Sequence, residues 1–267
     1  MIFTARTEDS FMKTIGFCLV GIIAAMPVTA AIYTENVEYR DGDTVLEGYL
    51  AYDDASEEKR PGVLVVHAWM GLGEQAKDSA RKLAALGYVG FALDMYGKGV
   101  YAKDREEAMQ RSGALKGDPK KLRERAIAGL DVLRDHKLVD KDRIAAIGYC
   151  FGGTTVLEIA RSGERIQGVV SFHGGLGTST PEDAKKVKAK VLALHGANDP
   201  AVPAEEVSAF MEEMRNAGVD WQLIHYGGAV HSFTDPDANT EGTAMYHEPS
   251  ARRSWLVMQQ FFAEIFE

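Results

Sequence analysis

The stretch Gly62–Ala68, GVLVVHA, is an apolar, largely β-branched run with no polar alternation. A strand of that composition must be covered on both faces, as in the interior of a parallel sheet. A helical period follows it. From Gln75 to Leu86 the small and apolar residues Ala76, Ala80, Leu83 and Ala84 fall on one face, and Gly87 ends the pattern. The alternation then recurs. Tyr88–Asp94 reads as a strand, Leu122–Leu133 as a helix introduced by Asp118-Pro119, Arg143–Tyr149 as a strand and Gly153–Arg161 as a helix. IQGVVSFHG, KVLALHG and WQLIHY read as further strands, Pro203–Ala217 as the helix between the last two, and Ser250–Phe266 as a closing amphipathic helix. Upstream, Asn36–Tyr52 reads as two short strands around the turn Asp41-Gly42-Asp43, followed by a charged loop from Asp53 to Arg60. Strands and helices in turn after an initial antiparallel hairpin specify an α/β fold, with a mostly parallel sheet and helices on both faces.

Tyr101–Asp118 is the one irregular stretch, polar and helical in part, and too small for a domain of its own. No repeat, low-complexity segment or Pro/Gly-rich linker interrupts the chain. Residues 31–267 are therefore expected to form a single domain, and a chain of 267 residues that is 46% hydrophobic can bury a full core. The net charge of −9, with no long basic run, argues against nucleic acid or an anionic membrane surface as the main partner.

The first thirty residues have a different character. Met12-Lys13 opens a short basic region, Ile15–Met26 is apolar throughout, and Val28 and Ala30 stand at the −3 and −1 positions of a cleavage site before Ala31. This is the pattern of a secretory signal peptide, with an apolar run too short for an ordinary membrane span. The polar residues ahead of Met12 fit that pattern poorly and make Met12 the expected start. An uncleaved N-terminal anchor is the alternative. Cys18 lacks the small residues that precede a lipid-modified cysteine. Cleavage after Ala30 would leave Cys150 as the only cysteine of an exported protein, periplasmic or extracellular, with no internal disulfide.

In open parallel sheets ligands bind beyond the carboxyl ends of the strands. Three reactive side chains fall there in the order Cys150, Asp199, His231. Nucleophile, acid, histidine is the order of partners that accompanies a G-x-nucleophile-x-G elbow, and Gly148-Tyr149-Cys150-Phe151-Gly152 fits that template with cysteine as nucleophile. The glycines let the strained turn pass close to its neighbours, and the following helix points its positive end at the sulfur. A buried, inert Cys150 is the competing reading. Asp94 competes with Asp199, which also fits as a turn residue, and His225 and His173 compete with His231. No H-x-x-x-H or H-E-x-x-H spacing suggests a metal site, and no cofactor motif is present. An oxyanion hole would use two backbone N–H groups: that of Phe151, after the nucleophile, and one from the loop HAWMG, where Trp69 is the expected donor.

VVHAWMGL, GYVGFALDMYG, IGYCFGGTTVLEIA, LHGANDPAVP and HYGGAVHSF together resemble the dienelactone hydrolase family, from about Tyr33 to the C-terminus. The resemblance implies an α/β-hydrolase fold without a large lid domain, acting on an ester or lactone through Cys150, His231 and Asp199. It also brings departures. Ala68 stands where the characterised dienelactone enzymes place a glutamate that controls the resting thiol. Two arginines grip the substrate carboxylate in those enzymes. Lys98 and Asp235 occupy the corresponding positions here, so Lys98 is the expected substrate-binding charge, without the bidentate fork of arginine. Asp235 would repel an anion, which points to a small neutral ester or lactone. The alternatives are a non-catalytic small-molecule binder that keeps the elbow for packing, and an acyltransferase or peptidase on the same fold.

Overall fold

The computed structural model describes residues 1–2 and 31–267; the expected signal peptide, from Met12 to Ala30, lies outside them. Strands β1 (Ile32–Asp41) and β2 (Thr44–Asp53) pair antiparallel in register from Ile32↔Asp53 to Asp41↔Thr44. Gly42 closes their two-residue loop in the left-handed region, at φ 56°. There follow β3 (Arg60–Val66), α1 (Glu74–Ala85), β4 (Val89–Leu93), α2 (Arg105–Lys116), α3 (Pro119–Asp135), β5 (Val139–Tyr149) and α4 (Phe151–Arg161). After these come β6 (Gly168–Phe172), a 3-10 turn at Pro181–Lys186, β7 (Lys190–Gly196), α5 (Ala204–Ala217) and β8 (Trp221–Tyr226). The two-residue strands β9 (Asn239–Thr240) and β10 (Ala244–Met245) precede the final helix α6 (Glu248–Ile265).

The eight long strands make one sheet in the order β1-β2-β4-β3-β5-β6-β7-β8. Only β2 runs against the rest, pairing antiparallel with both β1 and β4. Alternate residues of each buried strand feed opposite faces. Leu64 and Val66 of β3 join the layer built with α3, α4 and α5, whereas Val63 and Val65 join the layer built with α1 and α6. Each fully buried Leu or Phe in these layers contributes about 1.5–3 kcal/mol of transfer free energy. This is the α/β-hydrolase arrangement anticipated above.

Several element ends differ from the sequence reading. β3 stops at Val66 rather than Ala68, because the His67 ring turns onto the backbone beyond it. α4 starts at Phe151 rather than Gly153, because the elbow takes a single residue. α3 starts at Pro119, where Asp118 accepts from the Lys121 N–H at 3.0 Å. The irregular stretch holds a full helix, α2, capped by Asp104 on the Glu107 N–H at 2.9 Å.

A buried ion network holds α4 in place. Arg161, 1% exposed, makes a bidentate pair with Glu213 of α5 (2.8 and 2.7 Å), and meets Glu158 at 3.0 Å and the Leu176 carbonyl at 2.9 Å. Arg123 of α3 completes it on Glu158 and on Asp183 (2.7 and 2.6 Å). Removing one partner of such a pair strands a buried charge, at a cost of roughly 3–5 kcal/mol. Arg161→Met should lower the unfolding free energy by about that much in urea titration. The double change Arg161→Met with Glu213→Leu should recover a large part of the loss.

Candidate active site

The site is built around one residue that reverses the chain. β5 ends at Tyr149, α4 begins at Phe151, and Cys150 between them has φ 52° and ψ −112°. A non-glycine residue held there costs on the order of 1–3 kcal/mol, so its surroundings must enforce it. The Cys150 N–H donates to the Phe172 carbonyl at 3.0 Å, and the Thr154 N–H donates to the Cys150 carbonyl at 3.2 Å. A Cβ on Gly148 would collide with the Gly152 carbonyl, and one on Gly152 with the Val66 carbonyl. The first turn of α4 thus packs directly on the end of β3, which no side chain there would allow. Among the described residues, the other non-glycine residues at positive φ, His173 and Ser232, also lie beside this turn or beside His231.

Cys150 Sγ lies 3.0 Å from His231 Nε2, and His231 Nδ1–H donates to Asp199 Oδ2 at 2.8 Å. The Asp199 side chain is fully buried, and its other oxygen accepts from the Ala201 N–H at 2.8 Å. His231 is held by its backbone: its N–H reaches the Thr243 carbonyl at 3.2 Å, and the Met245 N–H reaches its carbonyl at 3.1 Å. The small β9–β10 ladder, absent from the sequence reading, therefore carries the histidine loop. Burial alone would disfavour the imidazolium. Hydrogen bonds to Asp199 and Cys150, with their negative charge, outweigh it and push His231 up to about 10. Such an arrangement can pass a proton between sulfur and imidazole while the carboxylate fixes the ring.

The competing residues are employed elsewhere. Asp94 accepts the N–H groups of Tyr96, Gly97 and Glu47 (2.8, 3.0 and 3.2 Å) and ties the β4 loop to β2. His225 is exposed on β8, its ring edge-on to His195. His173 is buried behind His231, with ring centroids 5.3 Å apart and Nε2 2.7 Å from Thr234 Oγ1. Burial first, then the charge of His231, keep it neutral.

Lys98 is placed differently from the expectation. Its ammonium lies on Glu38 at 2.8 Å and Glu47 at 3.3 Å, and its N–H bonds the Val45 carbonyl. The β1–β2 hairpin thus neutralises it, and it is not among the groups gathered at Cys150. Asp235 caps its own turn on the Asp237 N–H at 3.0 Å and lines a cleft of about 660 Å³ between α1 and α6. Ala68 offers only a half-buried methyl. Trp69 sits in the loop after β3, its carbonyl accepting from the Tyr96 hydroxyl at 2.7 Å. Phe151 supplies the first N–H of α4, which has no acceptor within the helix. Sequence reasoning missed Tyr96, whose hydroxyl is pushed up by burial and then by the negative charge of nearby Cys150. A second cleft of about 330 Å³ is lined by Thr154, bonded to Cys150, and Ala201, bonded to Asp199.

The profile described as the dienelactone hydrolase family matches residues 46–266. The chain belongs to the dienelactone hydrolase family. Among solved structures, one known as m3DLH superposes with a TM-score of 0.86 at 44% identity, covering 89% of this chain and 100% of its own. A dienelactone hydrolase-like promiscuous phosphotriesterase from metagenomic libraries gives 0.84 at 40% identity, covering 88% of this chain and 99% of its own. A Yersinia pestis protein with the provisional name carboxymethylenebutenolidase is 29% identical over 234 residues, 82% of this chain and 84% of that protein. As a dienelactone hydrolase family member, the chain is a hydrolase of small carboxylic esters or lactones.

The raised His231 value has a sign that can be checked. Because it lies above the ordinary histidine value of about 6.5, the protonated ring stabilises the fold fully below that pH. The contribution fades as pH rises toward about 10. In Cys150→Ala the sulfur's hydrogen bond and charge are lost, so His231 should titrate at lower pH than in the wild type. Imidazole proton NMR reads the shift directly.

Proposed function

We propose that this family member cleaves its ester or lactone through an acyl-enzyme thioester, with Cys150 as nucleophile, His231 as proton carrier and Asp199 as its orienting acid. The observation that carries this reading is the unbroken chain Cys150 Sγ–His231 Nε2, His231 Nδ1–Asp199 Oδ2, at 3.0 and 2.8 Å on the strained elbow. His231 carries the proton that the thiol gives up, and the sulfur attacks the substrate carbonyl. The N–H groups of Phe151 and Trp69 hold the oxyanion. As the tetrahedral adduct collapses, His231 returns the proton to the leaving alcohol, and the thioester remains. Water, deprotonated by His231, then attacks the thioester, and the acid leaves from the sulfur while the proton stays on His231.

The substrate is proposed to be neutral. Lys98 is already paired with two glutamates, and the resemblance puts the Asp235 carboxylate at the position of an anion-binding arginine. Export is proposed from the signal-like segment up to Ala30. The two remaining readings, a non-catalytic binder and an acyltransferase or peptidase, find no specific support in the site.

Short p-nitrophenyl esters and neutral lactones should be hydrolysed, and carboxylated lactones turned over with lower kcat/KM. Cys150→Ala should lose about 10³-fold or more in kcat. Intact-protein mass spectrometry of the quenched wild type should show an acyl adduct on Cys150. Equal rates for wild type and Cys150→Ala would refute the assignment. N-terminal sequencing of protein secreted by the expressing cell should begin at Ala31; retention of Met12 would refute processing.

A further inference from the structure

His67 lies outside the Cys150–His231–Asp199 chain, yet it is buried directly beneath the loop that carries Trp69. Its two ring nitrogens are both engaged. The Met95 N–H donates to Nε2 at 3.1 Å, which fixes the proton on Nδ1, and Nδ1–H donates to the Ala68 carbonyl at 2.6 Å. That carbonyl also accepts the Gly71 N–H at 3.2 Å, closing the turn Ala68–Gly71. The next carbonyl, of Trp69, accepts the Tyr96 hydroxyl at 2.7 Å. Two consecutive peptide units are therefore clamped by two buried side chains.

The geometry bears on the reaction because peptide units are planar and trans. The Ala68 carbonyl and the Trp69 N–H belong to one unit and point in opposite directions. Holding the carbonyl aims the N–H, and donating to the carbonyl polarises the N–H further. The loop is anchored to the elbow as well. Gly152 packs against the Val66 and His67 carbonyls, and the rings of His67, Tyr96 and Phe151 pack edge-on and tilted into one cluster with centroids 5.0–6.1 Å apart. Both donors assigned to the oxyanion, Phe151 N–H and Trp69 N–H, thus adjoin this cluster.

We infer that His67, seconded by Tyr96, is a positioning residue of the oxyanion hole, holding the Ala68–Trp69 peptide so that its N–H meets the developing negative oxygen. The inference rests on the acyl-transfer reading above and adds to it a neutral histidine that never exchanges a proton with substrate. Burial, the dominant influence, keeps that ring neutral. Protonation would set a second N–H against the Met95 donor.

The test separates positioning from general support. Ester hydrolysis uses the oxyanion hole; alkylation of Cys150 by iodoacetamide uses the sulfur and His231 but forms no oxyanion. His67→Leu should lower kcat roughly 10- to 100-fold with KM nearly unchanged, a range at or below the loss of a whole oxyanion donor. Its alkylation rate and pH profile should match the wild type. His67→Asn, which keeps an N–H donor near the Nδ1 position, should recover most of kcat. Should His67→Leu fail to fold, Tyr96→Phe removes only the hydroxyl on the Trp69 carbonyl and should show the same split. Wild-type kcat in the variant tested, or a parallel loss of alkylation, overturns the positioning role. Activity retained in Cys150→Ala would instead overturn the acyl-transfer reading, so the two failures are distinguishable.

Discussion

The structure depends on one backbone reversal. Cys150 turns the chain from β5 into α4 within a single left-handed residue, and Gly148 and Gly152 let that turn rest on the carbonyls of β3. Much of the cysteine's backbone surrounding follows from this contact. It puts the sulfur at the end of the central strand, aims the start of α4 at it, and brings the β3 loop alongside. The strain is carried by buried packing on both sides and by the ion network on the far half of α4, where Arg161 and Glu213 lock the helix to α5.

The order of strands and helices was legible because buried parallel strands and amphipathic helices write different periods. GVLVVHA and KVLALHG announce themselves through composition alone. The gathering of Cys150, Asp199 and His231 was legible as well, since strand ends on one edge of a parallel sheet must share a neighbourhood. The ends of elements were less so. β3 stops two residues early because the His67 ring bonds the backbone beyond it, and a side-chain-to-backbone bond leaves no periodic trace.

Lys98 shows a different limit. Its place in the motif suggested a charge for substrate, but a motif does not reveal what else competes for that charge. Glu38 and Glu47 come from strands about fifty to sixty residues upstream and meet the ammonium only once the hairpin has folded. Tyr96 and the β9–β10 ladder escaped notice for a related reason. Their contacts run between segments whose local sequence marks them as an ordinary loop and an ordinary turn.

The separation of Cys150 from His231 by 81 residues has a consequence for the nascent chain. The elbow can form as soon as β3, β5, β6 and α4 have met, but the imidazole waits on β8 and the β9–β10 ladder. A chain folded only through its first two-thirds therefore holds the sulfur without the imidazole that lies beside it in the finished structure.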